Sequence, residues 1–405
     1  MIKKIVIEQL QIGMFIHDLN CDWLDHSFVR NRFLIKTSAH LEKIQQIGVR
    51  DLYIDTEKGL DVLSAPTAAE VESEIEEDLT HITPAPDVGH PVALTIERGQ
   101  ARRIHQEAIS VVTSLMEDVR LGRQIDLEHA NPVVTKMVGS IFRNQDALLA
   151  LTRIRQVGRY TFEHSVNVAV LMVSFARTMG LEQTLIHNIG IGALLHDIGK
   201  TLVPPEILNK PGALTDDEFV VMRGHAAHSH DILAAVPGIP SIALAVASEH
   251  HERFDGSGYP NRKAGAAISL YGQMASVADV YDALTTDRVY HKAMEPHQAL
   301  RKLLEWSNHH FDPALVQHFI RCVGIYPIGT LVRLHSGRLG VIVENNQNGL
   351  RHPVVRVVMD IKRRTFLAAQ DIDLSCLPID YDERIVGTES PAQWGIDPLK
   401  VMMLA

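Results

Sequence analysis

Two short stretches constrain this chain more than its composition does. Residues 196 to 200 read His-Asp-Ile-Gly-Lys, and about fifty residues later residues 250 to 260 read His-His-Glu-Arg-Phe-Asp-Gly-Ser-Gly-Tyr-Pro. With His and Asp residues at other helix-compatible positions they supply a set of candidate metal ligands: His164, His196, Asp197, His225, His250, His251 and Asp279. Adjacent residues on a helix point about 100° apart, so His196 can hold one ion while the Asp197 carboxylate reaches a second. If Asp197 bridges, one ion receives His164, His196, Asp197 and Asp279, and the other receives Asp197, His225, His250 and His251. A six-coordinate ion then keeps positions open for solvent and a phosphate oxygen.

Imidazole and carboxylate ligands without thiolate suit Fe or Mn and leave Zn, Co and Ni open. Two ions roughly 3.5 to 4 Å apart activate a shared water and polarise phosphorus, which points to hydrolysis of a phosphoester. Lys200, one turn from His196, is placed to neutralise a phosphate, and Arg288 offers a planar fork for another phosphate oxygen. Gly256 and Gly258 let the backbone turn sharply, with Tyr259 and Pro260 stiffening the loop. A lone His-Asp step is ordinarily a hydrogen-bonded pair, and a Gly-Lys step often just ends a helix. The accumulation of compatible positions is what favours the ligand and phosphate roles. His228, His230, His309 and His310 lack carboxylates in register and read as surface or structural residues. Gly190-Ile191-Gly192 fails as a dinucleotide fingerprint, because Leu195 stands where the third glycine belongs. Gly199-Lys200-Thr201 fails as a P-loop, because Leu194 replaces its first glycine.

At 405 residues with 46% hydrophobic content, the chain has enough apolar material for two or three cores. A net charge of −10 argues against binding duplex nucleic acid. Cys21, Cys322 and Cys376 are too few and too scattered for a disulfide framework or a zinc ribbon. No apolar run reaches the roughly 20 residues of a membrane span, and Glu8 and Gln11 interrupt any signal-peptide core, so a cytoplasmic location is expected.

The expected fold is mainly α. Residues 1–61 read as a small α+β N-terminal domain with a strand at 49–55, followed by an acidic, Pro-containing flexible linker at 62–92. Ile104, Ala108, Val111, Leu115 and Val119 mark one face of a connecting amphipathic helix within 93–131, which either introduces the next domain or packs on a second subunit as a homodimer. Residues 132–324 form an all-helical catalytic domain. Residues 325–405 form a β-rich appendage, with strands at 331–334, 340–344 and 353–358.

The motifs from about Tyr160 to Phe319 resemble the HD-GYP family of the HD phosphohydrolase superfamily. They include His164-Ser165, the two stretches above, Ile207 to Gly212, Ala278 to Leu284 and Asp287-Arg288. Residues 1 to about 61 resemble an N-terminal domain of unknown function that precedes some HD-GYP domains, through Gly13 to Ile16 and Tyr53 to Asp55. The resemblance implies hydrolysis of cyclic di-GMP to linear pGpG, with GMP as a further product, in bacterial signalling. It implies that the seven residues are metal ligands and that Lys200, Tyr259 and Arg288 lie near substrate. Some members bind a third ion through a Glu four residues before the first His; Tyr160 stands there, so two ions are expected. A further cation of some members aligns with His291, which passes that contact to Lys292. Ser229 replaces a common Gly, and Gln273 a common Arg. A diguanylate cyclase (GGDEF) partner at the Gly-Tyr-Pro loop is a further implied contact. The competing readings are another cyclic dinucleotide such as cyclic GMP-AMP, and a receptor that binds without turnover.

Overall fold

The computed structural model describes residues 1–21, 32–46, 48–84, 91–154, 160–287, 292–307, 309–346, 349–378 and 382–404, and falls into two compact units. The first takes in residues 1–81, 205–222 and 288–292; the second holds the rest.

In the first unit, β1 (Ile2–Val6), β2 (Phe15–Asp18), β3 (Phe33–Leu34) and β4 (Asp51–Asp55) form an antiparallel sheet in the order β1-β4-β2-β3. Helix α1 (Ser38–Gln46) precedes β4 in the chain. Alternation along these strands turns Ile5, Ile16, Leu52 and Ile54 into one core with Met14 and Ile44.

The acidic stretch expected to be a flexible linker is instead partly ordered, as helix α2 (Ala68–His81). Its start is a capping box. The Thr67 hydroxyl accepts from the Glu70 N–H, while the Glu70 carboxylate accepts from the Thr67 N–H at 2.7 Å. Val71 and Leu79 are buried, so two apolar residues on one face anchor a helix whose composition otherwise reads as solvated. Prolines 66 and 84 bound that helix rather than interrupting it.

The second unit opens with α3 (Leu94–Arg120) and α4 (Leu127–Leu151), which pack on each other. The α3 face predicted from periodicity buries Ile104, Ala108, Leu115 and Val119, against α4 and α5 (Tyr160–Thr178) of the same chain. Most of that apolar face is therefore covered within the chain. Helix α4 bends at Asn144, whose φ and ψ are extended; its side chain donates to the Val92 carbonyl and accepts from the Asp146 N–H.

The bundle continues through α6 (Gln183–Leu195), α7 (Pro205–Leu208), α8 (Asp216–Arg223), α9 (His225–Ala234), α10 (Ser241–Glu249), α11 (Leu270–Leu284), α12 (Pro296–Glu305) and α13 (Pro313–Val323). Of these, α7 and most of α8 are counted with the first unit. Helices α6 and α10 approach at a distance only glycine permits, since a Cβ on Gly192 would lie 2.7 Å from the Ala243 Cα. The pair Gly190 and Gly192 is thus a helix-packing device.

After Pro327 the chain forms a second antiparallel sheet. Its strands are β5 (Leu331–Leu334), β6 (Arg338–Glu344), β7 (Val354–Asp360), β8 (Thr365–Asp373) and β9 (Ile385–Thr388), in the order β8-β7-β6-β5-β9. The first three were expected. Strand β8 was not, because its residues are almost all exposed and carry no alternation. Two short helices, α14 (Pro391–Trp394) and α15 (Pro398–Met403), close the chain. The sheet is tied to the bundle where buried Asp146 accepts from the Asn345 N–H at 2.7 Å.

Burial pushes the Asp146 carboxyl up to about 7 from an ordinary 3.8, against the pull of the Asn345 backbone donor. The folded chain then retains a proton that the unfolded chain gives up, so this group's contribution to stability falls as pH rises from about 4 to about 7. Asp146→Asn keeps an acceptor oxygen and removes the titration. Its urea-unfolding free energy should therefore vary less with pH than the wild type's across that window; an unchanged pH slope would contradict this.

Candidate metal centre

Five helices of the second unit converge on one buried point. His164 comes from the second turn of α5, His196 follows the last residue of α6, and Asp197 caps the 3-10 turn Ile198–Leu202 that comes next. His225 opens α9, His250 and His251 end α10, and Asp279 lies in α11. All seven lie together, and all but the half-buried His251 are buried.

Asp197 sits at the centre. Its Oδ2 lies 3.5 Å from His164 Nε2 and 3.4 Å from His196 Nε2, and its Oδ1 lies 3.3 Å from His225 Nε2 and 3.8 Å from His250 Nε2. The two oxygens of one carboxylate thus face two different sets of imidazoles. Asp279 joins the first set, with Oδ1 at 2.9 Å from His164 Nε2, and His251 joins the second, with Nε2 at 3.1 Å from His225 Nε2. Three groupings have ligand atoms close enough to share an ion: His164, His196 and Asp279; His196, Asp197 and His250; and His225, His250 and His251.

The polar bookkeeping of the cluster fits a cation. His196 and His250 donate their Nδ1 hydrogens to the carbonyls of Ala193 and Ala247 at 2.7 and 2.9 Å, which turns their Nε2 lone pairs inward. His196 Nε2 and Asp197 Oδ1 make no hydrogen bond among the described residues, although both are fully buried. Nitrogens of His225, His250 and His251 face one another at 3.1 to 3.3 Å. Lone pairs and anionic oxygens pointed at a common space are costly unless a positive charge fills it.

Burial drives His250 down to about 3 and lowers His196 and His251, so these rings are neutral and able to ligate. Burial also opposes ionisation of Asp197, but Lys200 and the surrounding imidazoles outweigh it and hold the carboxyl well below its ordinary range. Asp279 is likewise lowered against its burial, chiefly by the hydrogen bond from His164.

Lys200 reaches back to the same aspartate, with Nζ 2.5 Å from Oδ2. Gly199 between them is obligatory. A Cβ there would meet the His225 carbonyl at 2.1 Å and the Ser229 nitrogen at 2.5 Å. The Gly199 N–H donates to the Ser229 hydroxyl at 2.9 Å, so Ser229, a departure from the pattern, clamps the 3-10 turn to α9.

The Gly-Tyr-Pro loop is held by two carboxylates that the sequence reading passed over. Buried Glu252 accepts from the backbone N–H groups of Asn261 and Lys263, and buried Glu249 accepts from Ser269 N–H and the Lys263 ammonium. Gln273, the other departure, donates to the Ile268 carbonyl at 3.0 Å. The carbonyls of His309 and His310 accept from Asp255 and Phe254, which gives that pair a structural use through the main chain. Gly258 leaves no room for a side chain, because a Cβ would lie 2.4 Å from the Arg253 nitrogen.

Tyr259 stacks on His251 with ring centroids 4.6 Å apart, and the Arg223 guanidinium lies 5.3 Å over the tyrosine ring. Arg223 had not been singled out, since nothing in sequence ties it to a residue 36 positions on. Arg288 lies outside the described residues, as does His291. Lys292 is exposed and is counted with the first unit. Asp282 is a further omission: its Oδ2 lies 2.7 Å from His164 Nδ1.

Residues 142–315 match the HD domain family, and residues 2–130 match a domain of unknown function (DUF3391). The chain is 40% identical over 403 residues to a cyclic di-GMP phosphodiesterase of Pseudomonas aeruginosa, covering 99% of this chain and 95% of that protein. It is 34% identical over 201 residues to a 3′3′-cGAMP-specific phosphodiesterase of Vibrio cholerae, covering 50% of this chain and 41% of that one. A solved HDG"Y"P protein from Bdellovibrio bacteriovorus overlays with a TM-score of 0.47 at 16% identity, covering 79% of this chain and 98% of its own. The chain belongs to the HD-GYP family of metal-dependent HD phosphohydrolases, with a DUF3391 domain at its N-terminal end. No helix among the described residues is long and apolar enough to cross a membrane.

The close packing at Gly199 yields a direct test. Gly199→Ala should cost about 3 kcal/mol or more, because the clash is with backbone atoms, and should reduce the metal retained after dialysis. A variant with wild-type melting temperature and metal content would contradict the packing described.

Proposed function

We propose that this chain is a dinuclear, Fe- or Mn-dependent phosphodiesterase that hydrolyses cyclic di-GMP to pGpG, with GMP as a further product. The observation that carries the reading is the division of the Asp197 carboxylate between two sets of imidazoles. One ion would be held by His164, His196, Asp279 and Asp197, and the other by His225, His250, His251 and Asp197. The absence of any thiolate in the set favours Fe or Mn. When bound, a pair of divalent ions lowers the pKa of water and polarises phosphorus for in-line displacement.

The chain's own groups supply the remainder. Water adds to phosphorus, the bond to the 3′ oxygen breaks, and that oxygen takes up a proton to leave a linear dinucleotide with a 5′ phosphate. Lys200 is half-buried and carries its ammonium beside the centre, where it offsets charge on a non-bridging phosphate oxygen. Tyr259 and Arg223 form a wall beside His251 that suits the remainder of a flat, twice-charged ligand. Glu249 and Glu252 fix the loop that carries this wall. Arg288 and Lys292 belong to the proposal as further phosphate contacts on sequence grounds, and the Gly-Tyr-Pro loop as a docking point for a diguanylate cyclase domain.

The Vibrio cholerae likeness keeps hybrid cyclic GMP-AMP as the second substrate to examine. Anaerobic turnover of both cyclic dinucleotides by Mn- or Fe-loaded protein tests the reading. Faster conversion of cyclic di-GMP to pGpG is expected. Preference for cyclic GMP-AMP would overturn the substrate assignment, and retention of ligand without cleavage would favour a receptor.

Asp197→Ala should abolish turnover and lower metal content. Lys200→Ala should leave metal content near that of the wild type and reduce kcat by about 100-fold. Elemental analysis on the assayed samples separates the two, and an active Asp197→Ala protein would end the dinuclear proposal.

A further inference from the structure

We propose that Lys263 is a positioning residue for the substrate: held by Glu249 and Glu252, it latches the loop that carries Tyr259 to the end of α10, beside His250 and His251. The substrate effect rests on the phosphodiesterase reading above; the latch stands on geometry alone.

The His250-His251 step is bracketed in sequence by two buried carboxylates, Glu249 and Glu252, at 5% and 1% exposure. Both converge on one residue at the far end of the loop. Glu252 Oε2 accepts from the Lys263 N–H at 2.9 Å, and Glu249 Oε1 accepts from the Lys263 ammonium at 2.5 Å. Lys263 is thus gripped by main chain and side chain at once, while Glu252 Oε1 takes the Asn261 N–H at 2.7 Å. Between these anchors the Tyr259 N–H donates to the His251 carbonyl at 3.1 Å, and the tyrosine ring lies on the His251 imidazole.

Glu249 has a second attachment, on the helix that carries Asp279. Its Oε2 accepts at 2.9 Å from the N–H of Ser269, the N-cap of α11, where a carboxylate is favoured by the helix dipole. The approach requires Gly272 in the first turn of α11, since a Cβ there would lie 2.5 Å from both Oε2 and Cβ of Glu249. One carboxylate therefore joins the end of α10, the start of α11 and the end of the Tyr259 loop.

The two members of the ion pair are unequal. The Glu249 side chain is 6% exposed and that of Lys263 35%, so the anion is fixed in the protein and the cation comes to it from the loop. A fully exposed pair contributes little, whereas a buried carboxylate that loses its cation is costly, so the buried member selects one placement of the loop. Removing the Lys263 charge releases the loop end, while the Ser269 N–H still holds Glu249 against α11. The disturbance then reaches Tyr259 and spares the helices that present the candidate metal ligands.

The test is Lys263→Met in the full-length, Mn²⁺-loaded protein, a change that keeps the length of the stem and removes its charge. Hydrogen exchange read by mass spectrometry should quicken in peptides covering 253–263 and stay at the wild-type rate in α11, with metal content unchanged. In turnover of cyclic di-GMP, KM should rise about tenfold with kcat within about twofold, because a displaced Tyr259 weakens binding and leaves the chemical step in place. Lys263→Arg, which keeps the charge, should return both readouts toward wild type. In a Tyr259→Ala background, Lys263→Met should raise KM no further, since residues acting through one another are not additive. Unchanged exchange in the loop would overturn the latch. Parallel losses in kcat, metal content and α11 protection would make the role structural only and overturn the proposal, as would an undiminished KM effect in the Tyr259→Ala background. Wild-type protein that shows the loop protection but cleaves no cyclic di-GMP would overturn the phosphodiesterase reading and leave the latch standing.

Discussion

The carboxylate of Asp197 is the interaction on which the rest of the second unit turns. A fully buried anion is unfavourable unless compensated, and here the Lys200 ammonium lies against it while imidazoles surround it on four sides. To deliver them, α5, α6, α9 and α10 must end or begin within a few ångströms of one another. The glycines that allow this, Gly192 between α6 and α10 and Gly199 against α9, serve the site through packing. The centre is therefore a product of helix termini, where side chains leave the helix axis and two adjacent residues such as His196 and Asp197 can aim at one place.

Around that centre lies a shell of residues that orient rather than touch. Ala193 and Ala247 carbonyls set the tautomers of two histidines, Asp282 sets that of a third, and Glu249 and Glu252 hold the loop that brings Tyr259 onto His251. These interactions give rigidity to a site whose ligands would otherwise repel one another, and a rigid site costs less reorganisation when charge develops on a phosphate.

The sequence made the candidate ligands legible because His-Asp and His-His steps are chemically unusual and sit in recognisable motifs. It also gave the mainly α architecture and the strands whose residues alternate or are β-branched. What it hid has physical causes. Helix α2 was obscured by its acidic composition, since only two buried residues and a capping box hold it. Strand β8 was obscured by exposure. Asp282 lay within a quoted motif, yet its pairing with a histidine 118 positions earlier is purely tertiary. Arg223 was hidden for the same reason. The periodic face of α3 was read correctly as apolar but left its partner open, because periodicity says that a face is buried and never against what.

The central claim is that one carboxylate divides two metal positions, and anomalous scattering from crystals of the Mn-loaded protein addresses it most directly. The account predicts two peaks, one beside Asp197 Oδ2 among His164, His196 and Asp279, the other beside Oδ1 among His225, His250 and His251. A single peak, or two peaks sharing one oxygen of Asp197, would contradict it.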